Sequence, residues 1–408
     1  MPIQYRMQRR NQEGVYFSAK CVKLFHMTSP FLGKEYCAMK IKNLPVTMTA
    51  ILFGFSLALL SGIASSQTSI QALWGGPYLQ NVQPNLVTLC WITNEKTSGS
   101  ASFWPADKPL EKKQVDDETL TEFHRLRLMG LIPSTFYRYR ILGSNRNYDG
   151  EFRTAPRTGS AAPVQFAVYG DNRTQYNIHS EVIKAMTKYS YDFILHTGDE
   201  VADGSNLKEW GRFFSTAEPL LRNTPYFPEL GNHEGENPAY FRFFNVPRNY
   251  SFDYGDIHII ALDTNAPPSE YTRQESWLRR DLAEHKNFRW KILFCHHPFV
   301  TCTAIRGRRE EAARLLARLG PILKAGGVQL VFSGHDHNYQ RHIVNGITYI
   351  VTGGGGAPLY PVRMDTPYVK KALSVYHFCK VDVNGDTLEM SVFTPDGKMI
   401  DKTEIKSR

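Results

Sequence analysis

Val164-Gln165-Phe166-Ala167-Val168-Tyr169-Gly170-Asp171-Asn172-Arg173 reads as a short apolar strand that delivers a carboxylate, Asp171, into a tight turn. The same arrangement returns at Phe193-Ile194-Leu195-His196, which runs into Gly198-Asp199-Glu200. Three more blocks of turn and polar ligand follow in order: Gly231-Asn232-His233-Glu234, Cys295-His296-His297-Pro298 and Gly334-His335-Asp336-His337. Further strands are expected over Ile257 to Leu262, Trp290 to Phe294, Val328 to Phe332 and Ile347 to Val351. Between them, Ile178, Val182, Met186 and Tyr189 recur at helical spacing, and Arg273 to Glu284 and Arg309 to Lys324 read as helices. Alternating strands and helices build an α/β domain, and such sheets place their sites beyond the C-terminal ends of the strands.

The five blocks supply carboxylates, an amide oxygen and imidazoles, and no thiolate spaced for a metal. That donor mixture suits Zn, Mn or Fe better than Mg or Ca. Glycine before most of the ligands lets the backbone turn sharply and leaves room for an ion. Two ions about 3.5–4 Å apart can neutralise phosphoryl oxygens, generate a nucleophile and stabilise a leaving group, which is the chemistry of phosphate ester hydrolysis. A single GD pair or GHxH is weak, being usually a turn or a core histidine; five in order form the signal.

Upstream the pattern changes. Residues from about 70 to 155 read as all-β, with strand candidates at Val87 to Thr93, Ser98 to Trp104, Arg125 to Leu128 and Tyr137 to Leu142. Trp91 is placed to fill a core, and Tyr137, just after the turn at Pro133-Ser134, has the setting of a tyrosine corner. Thr158-Gly159-Ser160-Ala161-Ala162-Pro163 is a small-residue linker. Three segments result: 1–66 a presequence, 67–157 a β-sandwich and 158–408 the α/β domain.

Met39-Lys40-Ile41-Lys42, the apolar run Val46 to Ile63 and Ala64-Ser65-Ser66 have the order of a secretory signal, which makes Met39 the expected true start. A permanent anchor is the alternative; Gly54, Ser56, Ser61 and Gly62 disfavour it. A secreted, periplasmic or cell-surface protein with no stable membrane span after cleavage is expected. Eight Lys/Arg against two Asp/Glu give residues 1–66 a surplus of +6, leaving +3 of the chain's +9 for residues 67–408. The basic balance therefore belongs mainly to the presequence, and no basic stretch interleaved with aromatics marks a nucleic-acid platform. Four cysteines lie beyond it. Cys295 and Cys302 are candidates for a disulfide, and buried free thiols are the alternative for Cys90 and Cys379.

At this point the chain resembles the calcineurin-like metallophosphoesterase superfamily, and within it the purple acid phosphatases. Those proteins carry GDxG, GDxxY, GNH(D/E), VxxH and GHxH blocks in this order. The matches are Gly170-Asp171, Gly198-Asp199, Gly231-Asn232-His233-Glu234, Phe294-Cys295-His296 and Gly334-His335-Asp336-His337. The run Val351-Thr352-Gly353-Gly354-Gly355-Gly356-Ala357-Pro358 and the upstream sandwich extend the likeness. The resemblance implies a multidomain fold, a fibronectin-III-like all-β sandwich followed by an α/β domain of two mixed β-sheets flanked by helices. It implies Asp171 and His337 on a first metal, Asp199 bridging, and Asn232, His296 and His335 on a second. His233 would hydrogen-bond the phosphate or protonate the leaving oxygen. The implied activity is hydrolysis of small phosphate monoesters by metal-activated hydroxide, with two ions drawn from Fe, Zn and Mn. A phosphodiesterase or nucleotidase on the same scaffold, or a non-catalytic cell-surface module, is the alternative.

The chain departs from that pattern twice. Ala202 stands where the family has a tyrosine ligand, so no purple phenolate–iron colour is expected. Arg173 ends the first block; it cannot act as a ligand, and either forks onto a substrate phosphate or pairs with a nearby carboxylate. His297 reads as a wall residue, and His179, His196, His258 and His377 as structural. Glu200 and Asp203 read as partners of ligand histidines or as loop carboxylates, and Arg306, Arg308 and Arg309 as a solvated cluster, with contact to a phosphate or other anionic substrate as the alternative.

Overall fold

The computed structural model describes residues 73–143 and 148–407. The signal-like segment expected within residues 39–66 lies outside them. Among the described residues, no helix is long and apolar enough to cross a membrane.

Five strands form the upstream sheet: β1 (Leu73–Gln80), β2 (Leu86–Pro105), β3 (Lys113–Met129), β4 (Phe136–Ile141) and β5 (Tyr148–Arg153). Where two separate strands are expected at Val87 to Thr93 and Ser98 to Trp104, a single 20-residue strand runs through both. Its first half pairs with β1, its second half with β4, and β3 follows it along both. The register slips between Ile92 and Gly99, where polar residues interrupt the alternation, and there the strand changes partners. Trp91 is fully buried and stacks on His124 at 4.7 Å. Tyr137 behaves as expected of a corner tyrosine: its hydroxyl accepts from the Ile132 amide at 3.1 Å. Tyr78 and Tyr139 donate to the carbonyls of Phe243 (2.6 Å) and Arg222 (2.8 Å), tying this sheet to the rest of the chain.

Two mixed sheets make up the remainder. One has the order β18-β17-β16-β6-β7-β8, with β6 (Val164–Tyr169), β7 (Phe193–His196), β8 (Tyr226–Pro228), β16 (Phe378–Asn384), β17 (Thr387–Phe393) and β18 (Met399–Lys406). The other has the order β15-β13-β14-β12-β11-β10-β9. Its strands are β9 (Asn249–Tyr254), β10 (Ile257–Leu262), β11 (Trp290–Cys295), β12 (Leu330–Ser333), β13 (Tyr339–Val344), β14 (Ile347–Thr352) and β15 (Val369–Leu373). The period-2 rule then assigns each side chain to a layer. Phe166, Val168, Phe193 and Leu195 of one sheet share a core with Ile257, Ile259, Ile292, Phe294, Leu330 and Phe332 of the other. Their neighbours face outward onto helices. Ala167, Tyr169 and Ile194 pack with α1 (Tyr176–Met186) and α2 (Leu207–Leu221). Ile260, Leu262, Leu293 and Val331 pack with α4 (Tyr271–Glu284) and α5 (Arg308–Ala325); a short α3 (Pro238–Phe244) joins the first group. The result is helix, sheet, sheet, helix. Strands buried on both faces are near-continuous apolar runs, which is how β6 and β10 read.

All four described cysteines are buried free thiols. The bridge between Cys295 and Cys302 is therefore not formed: Cys295 Sγ instead donates to the His297 carbonyl at 3.3 Å.

Candidate metal centre

Asp171 follows β6, Asp199 follows β7 and Asn232 lies just past β8, at the C-terminal ends of three parallel neighbours. His296 follows β11, and His335 and His337 follow β12, parallel neighbours in the second sheet. The C-terminal edges of the two sheets thus converge on one point, and all six expected ligands arrive there.

Three of them adopt left-handed backbone: Asp171 at φ +56°, Asp199 at +60° and His335 at +66°. Such conformations cost on the order of 1–3 kcal/mol each and persist where the surroundings impose them. Here glycines make the surroundings possible. A Cβ on Gly231 would lie 2.3 Å from Asp199 Oδ1, and one on Gly334 2.3 Å from Asp171 Oδ2. Backbone amides then hold the carboxylates. His335 N donates to both Asp171 oxygens at 3.0 and 2.9 Å, and His233 N donates to Asp199 Oδ1 at 3.1 Å.

The imidazoles are oriented by carbonyls. His296 Nδ1 donates to Thr197 O and His337 Nδ1 to Pro358 O, each at 2.8 Å. A carbonyl only accepts, so the opposite nitrogen of each ring is a bare lone pair. His296 Nε2 points at Asn232 Oδ1, 2.8 Å away, and lies 3.4 Å from Asp199 Oδ1. His335 Nδ1 joins them, 2.9 Å from the same amide oxygen and 3.1 Å from His296 Nε2. His337 Nε2 lies 3.5 Å from Asp171 Oδ1. His296 Nε2 and Asn232 Oδ1, acceptor facing acceptor, hold no hydrogen bond between them; a cation there satisfies both. Ring nitrogens aimed inward while their partners bond carbonyls is the usual support of metal-ligating histidine. The donor set therefore fits a metal centre.

Electrostatics agree. Burial, with the charge of Asp199 beside it, pushes the Asp171 carboxyl well above its ordinary value. Burial also raises Asp199, but His296, His233 and Arg173 outweigh it and leave that carboxyl below the usual range. Burial lowers His296, and lowers His337 to about 4, so these rings keep their lone pairs at neutral pH.

Around these six side chains, the structure places further groups. Glu234 accepts from the amides of Asp199 (3.0 Å), Gly231 (2.9 Å) and Val201 (3.1 Å), lashing two ligand loops together. Its place at the end of the Gly231 block was the available signal. His196, expected to be merely structural, bonds Asn172 Oδ1 at 2.6 Å beneath Asp171. The carbonyl of Ala202 accepts from His233 Nδ1 at 2.7 Å and turns Nε2 of that half-exposed ring toward the pocket, 3.8 Å from Asp199 Oδ2. His297 forms a wall, 4.2 Å from the His335 ring. Arg308 departs from the solvated reading: its Nε lies 3.4 Å from the buried Asp336 carboxylate. Arg309 pairs with Asp365 at 2.6 Å. Arg173 donates Nε to Asp199 Oδ2 at 3.1 Å, the carboxylate pairing named above.

A second His/Asp group, Asp253, His258 and His285, lies toward the N-terminal end of β10, the edge opposite the centre. Both nitrogens of His258 are engaged, by Asp253 at 2.8 Å and Asp281 at 2.9 Å, so the ring has no lone pair for a metal. This is a structural ion-pair network. Burial lowers the His258 pKa, but hydrogen bonds to both carboxylates outweigh it and raise the ring above 6.5. Stability gained from a raised histidine is complete below the unfolded pKa and is lost as pH rises through the folded one. His258→Gln is expected to cost about 1–3 kcal/mol in urea unfolding at pH 5.5 and distinctly less at pH 9; an equal cost at both would refute a charged ring.

Residues 164–339 match the family described as Calcineurin-like phosphoesterase. The chain is 25% identical over 295 residues to Probable purple acid phosphatase 20 of Arabidopsis thaliana, covering 65% of this chain and 68% of that protein. It is 27% identical over 264 residues to Purple acid phosphatase 21 of the same plant, covering 58% of each. The similarity thus spans only about three fifths to two thirds of those relatives. The solved structure of purple acid phosphatase PPD1 from yellow lupin seeds shares the fold, with a TM-score of 0.67 at 18% identity, over 81% of this chain and 74% of that one.

Proposed function

From a calcineurin-like phosphoesterase domain at residues 164–339, in a chain homologous to the purple acid phosphatases, we propose an exported phosphomonoesterase that works with two transition-metal ions drawn from Fe, Zn and Mn. The observation that carries this reading is the bare His296 Nε2, which faces Asn232 Oδ1 at 2.8 Å and Asp199 Oδ1 at 3.4 Å, acceptors against an acceptor, with His335 Nδ1 3.1 Å away. In this reading Asp171 and His337 serve a first ion, Asn232, His296 and His335 a second, and Asp199 both. The upstream unit, residues 67–157, is assigned as a fibronectin-III-like domain on its β-strands and its corner tyrosine.

Bound metals supply Lewis acidity and lower the pKa of water enough to furnish a nucleophile at neutral pH. The protein's own groups do the rest. Buried carboxylates and neutral imidazoles would hold the ions. His233 Nε2, fixed by the Ala202 carbonyl on its far side, is the group that faces a phosphate or its leaving oxygen. Asn232 adds its amide to that side, and Arg173 offers a fork to phosphate oxygens once it leaves Asp199.

The test is a phosphoester panel after loading with Mn, Zn or Fe. An aryl phosphomonoester is expected to be hydrolysed well ahead of a bis-aryl diester; the reverse order would move the protein to the diesterases. His233→Ala is expected to lower kcat by about 10²–10⁴ while leaving the bound metal content unchanged. A parallel loss of metal would make His233 a structural residue instead.

A further inference from the structure

We propose that Arg173 is a resident cation of the first metal position, so that the two positions fill unequally and the first fills only when this guanidinium withdraws. The proposal rests on the metal-centre reading above and refines it. Arg173 sits in the turn after β6, its side chain only 14% exposed. Its Nε bonds Asp199 Oδ2 at 3.1 Å, and its Nη2 lies 3.5 Å from the bare Nε2 of His337. Those are two of the three side chains assigned to the first ion. The third, Asp171, has its Oδ1 3.5 Å from the same His337 nitrogen. The guanidinium therefore already answers the lone pairs that an ion would answer there.

The second position differs. His296 Nε2, Asn232 Oδ1 and His335 Nδ1 face one another, and among the described residues no Lys or Arg is bonded to any of them. An ion there would meet Asp199 through Oδ1, the oxygen that Arg173 does not hold. The first position also has fewer groups of its own, since position 202 contributes a carbonyl, and that carbonyl is spent on His233 Nδ1. An ion entering at Asp171, Asp199 and His337 must break a largely desolvated, charge-assisted bond and then tolerate a full positive charge nearby. Arginine cannot escape this by losing its proton. Once displaced, its planar fork is free for an incoming phosphate. Metal loading at the first position and capture of an anionic substrate are thereby coupled through one side chain.

Mn(II) titration of metal-free protein, followed by calorimetry and by electron paramagnetic resonance, tests this. Wild type is expected to bind a first equivalent at least tenfold tighter than a second, with a spin-coupled Mn pair appearing only late in the titration. Arg173→Gln and Arg173→Ala are expected to tighten the second step at least tenfold, to leave the first within threefold, and to bring the coupled signal forward. Arg173→Lys, which keeps the charge, is expected to stay near wild type, and circular dichroism checks that each variant is folded. A second step unchanged by loss of the charge, or both steps shifting together, overturns the resident-cation role while leaving the metal centre standing. Wild type that binds no Mn, Zn or Fe overturns the metal-centre reading and this inference with it.

Discussion

Asp199→Asn is expected to remove at least about 10³-fold of kcat/KM toward an aryl phosphomonoester and to abolish the rise in melting temperature that metal produces. Lewis-acid stabilisation by a bound metal is worth several kcal/mol of transition-state charge, and 1.36 kcal/mol is a factor of ten. Asp199 reaches both halves of the site through its side chain: Oδ1 lies 3.4 Å from His296 Nε2, and Oδ2 accepts at 3.1 Å from Arg173, which stands 3.5 Å from His337 Nε2. Asparagine is the appropriate replacement. It tolerates the left-handed backbone held here at φ +60°, and its amide oxygen can still accept from the His233 amide. The change therefore removes charge with little change in shape, and the metal-free protein should melt within a few degrees of wild type. Full metal content, or a rate within tenfold of wild type, would sink the assignment of Asp199 as the shared ligand.

How far such a site can be read in advance depends on which atoms make it. Asp171, Asp199, Asn232, His296, His335 and His337 could be picked out because each is a polar side chain set in a turn of the kind that follows a strand, and β10 was legible to its end residues from its apolar run. The groups that aim them were not. Thr197 and Pro358 act through carbonyls, which every residue possesses, and their roles exist only after the chain has folded. Ala202 read as a loss, the place of a missing ligand, yet its carbonyl fixes the tautomer of His233. Arg173 was left between two readings because its choice depends on a carboxylate 26 residues away in sequence and 3.1 Å away in space. Upstream, β2 was split in two because the polar stretch Asn94-Glu95-Lys96 looks like a turn. Pairing along β3 on either side of the slip keeps it a strand. Local pattern gave way there to tertiary pairing. Residues 39–66, on which the expectation of export rests, fall outside the described structure.

Glu234→Ala is expected to destabilise the protein by about 3–5 kcal/mol and to weaken metal binding by about 10–100-fold, although Glu234 is not among the groups that face the metal. The side chain is 1% exposed. Its Oε2 takes the amides of Asp199 and Gly231, and its Oε1 takes that of Val201. Truncation leaves three buried N–H groups without partners, each costing about 1–3 kcal/mol, and the loss of a crowded buried carboxyl offsets part of that sum. The same amides belong to the turns that carry Asp199 and Asn232, so loosening them spreads these side chains before any ion arrives. Glu234→Gln separates the two consequences. Its single carbonyl can replace Oε2 and keep two of the three bonds, while its NH₂ faces the Val201 amide, donor against donor. Urea unfolding should then place Gln nearer wild type than Ala, with metal affinity in the same order. Stability within about 1 kcal/mol of wild type in the alanine variant would show that the Asp199 and Gly231 turns hold themselves, and that the glutamate merely fills space between them.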